Sequence, residues 1–234
     1  MSIAENIQTV RERIAEAAVS AGRKPEEITL LGASKMNDAA ACREAIAAGI
    51  DVLGENRVQE MQQKLKENAY DGAPLHFIGH LQRNKVKQVV GYVDLIQSVG
   101  SLELLQEIEK TAAGKNLTQE ILLEVNIGRE EAKSGFLPES VEAAAETALA
   151  CPHIRVRGLM TIPPVETEPG ANSRYFAAVK SIFVDINSKL FHNELEYLSM
   201  GMSGDYQEAI RAGSTMVRVG SAIFGARNYQ QETK

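Results

Sequence analysis

Short apolar runs recur along this chain at intervals too brief for anything but repeated strand–helix units. They are Ile28–Ser34, Asp51–Gly54, Leu75–Gly79, Leu95–Val99, Ile121–Ile127, Val156–Ile162, Tyr197–Met200 and Met216–Phe224. Between them lie helix-like segments near 38–48, 57–69, 84–91, 101–113, 138–150, 172–192 and 205–212. Strands that alternate with helices pair in parallel through βαβ crossovers. Eight such strands predict a closed (β/α)8 TIM barrel of the α/β class, and 234 residues suit one such domain, 1–234, without a second. An open doubly wound sheet shares the alternation; no GxGxxG follows the first run, which tells against its dinucleotide-binding form.

An extra helix precedes the barrel. Ile3, Ile7, Val10, Ile14, Ala17 and Ala18 recur at spacings of three and four across residues 2–21. Ser2 and Glu5 form a capping-box pair, and Gly22 is placed to end the helix. The first residues carry no signal-peptide core and no stretch is long enough for a membrane span, so a cytoplasmic location is expected.

Net charge is −6 and aromatics are only 5%, a poor basis for binding nucleic acid or an anionic membrane. Cys42 and Cys151 stand apart, form no CxxC or Cys/His cluster, and read as buried thiols. His76 and His80 are four apart, but the run between them reads as strand and no acidic partner completes a set, so no metal site is expected. Structural, hydrogen-bonded histidines are the reading for both. The run Lys64-Leu65-Lys66-Glu67 reads as a solvated helix face.

Position gives the strongest functional signal. In a barrel the carboxyl ends of the strands surround the active-site mouth. Here those ends carry Ser34-Lys35, Gly54-Glu55-Asn56, His76 to His80, Asn126 with Lys133-Ser134-Gly135, Met160-Thr161, Ser199 to Ser203 and Arg218 to Ser221. Polar groups that are costly to bury unpaired thus gather at one rim. Lys35 directly follows an apolar run, which would lift its amine into the mouth, where desolvation favours a nucleophile for carbonyls. An ordinary solvated lysine opening the next loop is the competing reading. Gly201 to Asp205 before a helical run, and Gly220-Ser221 late in the eighth strand, fall where barrels bind phosphate. A glycine turn with Ser203 or Asp205 as a routine N-cap, and a strand with a salt-bridged Arg218, are the plainer alternatives.

The stretches ITLLGASK, GENRVQE, HFIGHLQRNK, KSGF, GLMTI, LSMGMSGDYQEAI and GSTMVRVGSAIFGAR run from residue 28 to 227. In them the chain resembles the YggS/PROSC family of pyridoxal phosphate homeostasis proteins, whose barrel is similar to the alanine racemase N-terminal domain. The resemblance implies a pyridoxal 5'-phosphate (PLP) cofactor held as a Schiff base by Lys35, with Asn56 near the ring or its 3-oxygen. It places Ser203, Gly204, Gly220 and Ser221 around the phosphate, Met160 and Ser199 along the ring, Arg218 at the pyridine nitrogen and Lys133 near the ring oxygen. Many relatives continue the lysine motif as SKTKP. Here it reads Ser34-Lys35-Met36-Asn37-Asp38, so a role of the second lysine in cofactor transfer does not carry over.

By resemblance, the function implied is vitamin B6 homeostasis as a PLP carrier or buffer, with apo PLP-dependent enzymes as recipients and a monomeric state. A non-catalytic binder is preferred over an enzyme. Racemases place a second acid/base across the ring from a separate domain and partner subunit, for which the residues after Phe224 leave no room; Tyr206 and Tyr229 read as surface or packing phenols. The alternatives are a weak PLP-dependent amino-acid racemase or related enzyme, and a lysine Schiff-base aldolase without PLP.

Overall fold

In the computed structural model, which describes residues 2–165, 168 and 170–225, eight parallel strands close into a barrel in sequential order. They are β1 (Thr29–Ala33), β2 (Val52–Glu55), β3 (Leu75–Phe77), β4 (Leu95–Val99), β5 (Gln119–Val125), β6 (Ile154–Thr161), β7 (Tyr197–Met202) and β8 (Met216–Val219). Thr29 to Gly32 pair with Met216 to Val219 to close the ring. The single (β/α)8 TIM-barrel architecture expected from the alternation is therefore observed.

The strands read as unbroken apolar runs because both of their faces are buried. Leu30, Leu53, Phe77, Ile96, Leu159 and Val217 join the large cluster shared with the surrounding helices. Their neighbours point the other way and plug the barrel: Leu31, Ala33, Val52 and Met216 in one inner cluster, Leu95, Leu122 and Met160 in another.

The helices are α1 (Ile3–Ser20), α2 (Ala39–Ala47), α3 (Val58–Lys66), α4 (Leu102–Gly114), α5 (Val141–Leu149), α6 (Ser173–Leu190), α7 (Tyr206–Arg211) and the single turn α8 (Ser221–Phe224). The capping box at Ser2 and Glu5 is formed, and α1 buries Ile7, Val10, Ile14, Ala17 and Ala18. Gly22, at φ +71°, turns the chain out of it. No described helix is long and apolar enough to cross a membrane.

Two expected elements differ. Residues near 84–91 form a 3-10 helix over Arg83–Gln88, with Val86 its one buried residue. One apolar position in six cannot hold a full amphipathic α-helix against the barrel. The eighth apolar run also stops being strand at Gly220: Ser221–Phe224 turns into α8, whose Ile223 is buried. A short apolar run of this length is compatible with either state.

Cys42 is buried beneath α2 and Cys151 is half-buried, its thiol donating to the Thr147 carbonyl at 3.4 Å. Neither is disulfide-bonded. The proline-rich loop after β6 is described only in part, because Pro169 lies outside the described residues, as does Tyr229.

Polar residues also enter the barrel interior. The Gln97 side chain donates to His76 Nδ1 at 2.9 Å and to Met216 Sδ at 3.1 Å. Because the Gln97 amide nitrogen can only donate, His76 Nδ1 accepts and the neutral ring carries its proton on Nε2. Burial drives the His76 pKa down to about 3 from 6.5. His80 is exposed at the rim.

Two outcomes follow from this packing. A Cβ at Gly158 would run into the carbonyl oxygen of Tyr197 on the neighbouring strand, so Gly158→Ala should lower unfolding stability by at least about 2 kcal/mol in urea denaturation. Unfolded His76 binds a proton near 6.5 while the folded ring resists to about 3, so stability should fall as pH drops through that window. His76→Gln should flatten that part of the stability–pH profile; an unchanged slope would contradict the assignment.

Candidate functional site

A cavity of about 1630 Å³ opens at the carboxyl ends of the strands. Lys35, Asn56, Lys133 and Arg218 border it, as do Ser203, Gly204, Gly220 and Ser221. Eight of the ten residues selected from the sequence thus meet around one space. The other two do not border it. Met160 and Ser199 are fully buried deeper in the barrel, Met160 against Leu95 and Leu122, and Ser199 under the guanidinium of Arg218. Both were expected along the ligand ring. Their side chains lie in the barrel interior, and Ser199 meets the cavity lining through Arg218.

Lys35 stands on the turn that leaves β1. Ser34 before it is fully buried, and Met36 after it adopts φ +63°, a left-handed conformation uncommon for a residue with a side chain. Asp38 then caps α2, accepting from the Ala41 amide at 2.9 Å. Under this turn sits a buried ionic cluster that corrects the reading of Lys64 as part of a solvated face. Lys64 is 5% exposed and its ammonium reaches Glu55 at 2.6 Å, Glu60 at 2.8 Å and the Ser34 carbonyl at 2.9 Å. Burial opposes the charge on Lys64, but the Glu55 and Glu60 carboxylates outweigh it and hold its pKa above the ordinary lysine value. The Ser34 and Tyr70 hydroxyls also donate to Glu55, at 2.7 and 3.1 Å.

On the adjoining part of the rim, where β8 pairs with β1, the β7–α7 and β8–α8 loops meet. The Ser203 hydroxyl accepts from the amides of Gly220, at 3.2 Å, and Ala222, at 3.4 Å. Gly220 and Ser221 belong to the α8 start and not to β8, so these amides turn toward Ser203 instead of a strand ladder. Asp205 does not cap α7 with its side chain. Its carboxylate accepts from the Met202 amide at 2.7 Å and the Asn172 side chain at 3.0 Å, which fixes the loop. Tyr206 packs in the core beneath α7 and does not border the cavity.

Arg218 forms the floor. It donates to the Ser199 hydroxyl at 2.7 Å and to the Thr161 carbonyl at 2.9 Å, and Ser199 donates onward to Gln97 at 2.7 Å. A continuous chain thus runs from the Arg218 cation through Ser199 and Gln97 to neutral His76. Burial lowers the Arg218 pKa to about 10, against the attraction of Asp205 and Glu124, so the guanidinium remains charged at neutral pH.

Glu124 on β5 borders the cavity and was not selected from the sequence. Burial raises its pKa, opposed by the Ser134 hydroxyl donating at 2.8 Å and by Arg218. Inward parity was the available signal: Glu124 and Gln97 each lie two residues beyond an inward-facing leucine, Leu122 and Leu95. Lys133 is held at the rim, paired with Glu130 at 2.5 Å and donating to the Pro163 carbonyl at 3.2 Å. Asn126 braces the same loop, bonding the Glu130 amide and carbonyl.

The residues fit a phosphorylated aldehyde such as PLP. The lining holds four cations, Lys35, Arg57, Lys133 and Arg218, against two carboxyls, Glu60 and Glu124, although the chain as a whole is acidic. Ser203, Gly204, Gly220 and Ser221 line one side of the cavity, and the Ser203 hydroxyl, whose oxygen accepts from the Gly220 and Ala222 amides, has its own proton to donate to an anion. Asn56 Oδ1 is buried at the cavity wall with no protein partner, an acceptor that a ligand hydroxyl would satisfy. Among the described residues no group of three or more His, Cys, Asp or Glu is arranged to hold a metal ion.

Residues 2–228 match the family model described as alanine racemase, N-terminal domain. The pyridoxal phosphate homeostasis protein of Aquifex aeolicus is 41% identical over 229 residues, 98% of this chain and 100% of the relative. A crystal structure of a Bifidobacterium adolescentis protein, 36% identical, superposes with a TM-score of 0.90 over 95% of this chain and 94% of the other. PipY of Synechococcus elongatus, solved with PLP bound, is 30% identical, with a TM-score of 0.83 over 96% of this chain and 100% of PipY. With its barrel and nearly its full length shared with these proteins, the chain belongs to the alanine racemase N-terminal-domain family and, within it, to the pyridoxal phosphate homeostasis proteins.

Proposed function

We propose that this chain, acting as one domain over 1–234, binds PLP as a Schiff base on Lys35 and serves intracellular PLP homeostasis as a carrier or buffer. The observation that carries the reading is the placement of Lys35 and of Ser203, Gly204, Gly220 and Ser221 on one cavity. The PLP bound by PipY supports the choice of ligand. PLP supplies an aldehyde. The neutral Lys35 amine adds to its carbon, one C=N bond forms and one water leaves. A recipient's amine can take over that carbon and release Lys35, which makes storage reversible.

The other residues divide the ligand between them. Ser203, Gly204, Gly220 and Ser221 take the phosphate, Asn56 the ring hydroxyl, and Lys133 the ring-oxygen side. Arg218 faces the pyridine nitrogen. Arginine only donates, so that nitrogen stays unprotonated and the ring is a weak electron sink. Met160 and Ser199 act from below, Ser199 by holding Arg218. Apo PLP-dependent enzymes are the expected recipients, a monomer the expected state and the cytoplasm the expected compartment.

Glu124 favours a second reading, a slow amino-acid racemase, because it offers a protonatable carboxyl inside the cavity. Incubating the loaded protein with L-alanine in D2O separates the two. α-Deuteration over many turnovers supports the enzyme; none supports the carrier.

Borohydride treatment of the PLP-loaded protein, followed by peptide mapping, should place the phosphopyridoxyl group on Lys35. Lys35→Ala should remove the visible imine band of the untreated protein. A reduced adduct absent from the Lys35 peptide would overturn the reading.

A further inference from the structure

The turn bearing Lys35 is gripped by α3 on both sides of that residue, by the buried Lys64 and by Glu60 at the cavity wall. Lys64 donates to the carbonyl of Ser34, and Glu60 accepts from the amide of Met36 at 2.5 Å. These are the peptide groups immediately before and after Lys35. The two grips are tied together, because Lys64 also donates to Glu60 at 2.8 Å. Lys64 thereby spends its third donor on Glu55, so all three of its N–H groups are engaged.

Stability alone gives little reason for this arrangement. A buried ion pair is commonly no more stabilising than apolar side chains of the same shape, since desolvation offsets its attraction. Glu55 even leaves its second carboxylate oxygen, Oε2, buried and unpartnered. Three features converge on one place: a left-handed Met36, a carbonyl and an amide held on either side of Lys35, and a charged pair on α3 that holds them. Such a site fixes a backbone direction just beyond the last bond of β1 to β2, from the Ser34 amide to the Gly54 carbonyl at 3.0 Å.

We infer that Glu60 and Lys64 are positioning residues for Lys35, clamping the peptide groups on either side of it so that its amine is presented to the aldehyde in one orientation. The inference rests on the Schiff-base reading above. Glu60 is the more informative of the two to change, because the Lys64–Glu55 pair survives its replacement.

The test compares two ligands. PLP reports on Schiff-base formation through growth of the visible band, while pyridoxine 5'-phosphate carries the same ring and phosphate with no aldehyde. Glu60→Ala should slow band growth about tenfold, the loss expected from one charge-assisted hydrogen bond. Affinity for pyridoxine 5'-phosphate should hold or rise, because the substitution removes a carboxylate from the lining that receives an anion. Glu60→Gln, whose side-chain oxygen still accepts from Met36, should recover most of the rate. If Glu60→Ala does not melt cooperatively, Glu60→Asp carries the test: it keeps the charge but draws it back one methylene, and should slow band growth about threefold. An unchanged rate in the folded variant, or an equal loss for both ligands, would overturn the clamp while the wild-type adduct on Lys35 still stands. A wild-type protein that forms no adduct on Lys35 would overturn both.

Discussion

Hydrogen bonding between Thr29–Gly32 of β1 and Met216–Val219 of β8 turns eight successive strands into a ring. Once the ring is closed and every pairing is parallel, all eight strand ends must emerge on the same side. Lys35, Asn56, Lys133, Ser203 and Gly220 are scattered over most of the chain, yet topology brings them to one rim. Closure also removes every exposed sheet edge and leaves the inner face to be filled by side chains.

How that inner face is filled changes with depth. Its lower part is apolar, with Leu31, Val52, Leu95, Leu122 and Met160. Above and among them runs the series Arg218, Ser199, Gln97 and His76, each polar atom answered by the next. The cost of burying a guanidinium is met by directed acceptors, and its charge faces the cavity at a level where solvent is scarce. A second buried ionic group, Glu55 with Lys64, lies on the outer side of the same wall. The site is thus bounded by fixed charge both inside and outside the barrel.

Much of this could be read from the sequence. Buried on both faces, the strands declare themselves as apolar runs, and β4 matches its expected limits at both ends. The rim residues were legible because polar groups follow such runs directly. Where reading failed, the missing information lay in another element. Nothing around Lys64 on α3 reveals that Glu55, at the end of β2, supplies a buried partner, so the lysine looked solvated. The composition of Ser221–Phe224 suits strand and helix alike, and contact with α1 accompanies the turn that is formed. Met160 and Ser199 lie on the expected strands but are buried and do not border the cavity, since distance along a barrel axis depends on stagger between strands, which no single segment carries.

The first helix touches the rim. Asn6 of α1 donates to the carbonyl of Ile223 at 2.8 Å, joining positions 217 residues apart in the chain. α8 is a single turn, too short to persist alone, so this latch is part of what keeps the Gly220 and Ala222 amides aligned. Contacts between such distant positions form only after nearly all the intervening chain has been ordered. On a ribosome, the corner where the β8–α8 turn meets α1 therefore takes shape late, after nearly all of the chain has emerged. The shape of that corner is thus settled together with the completion of the fold.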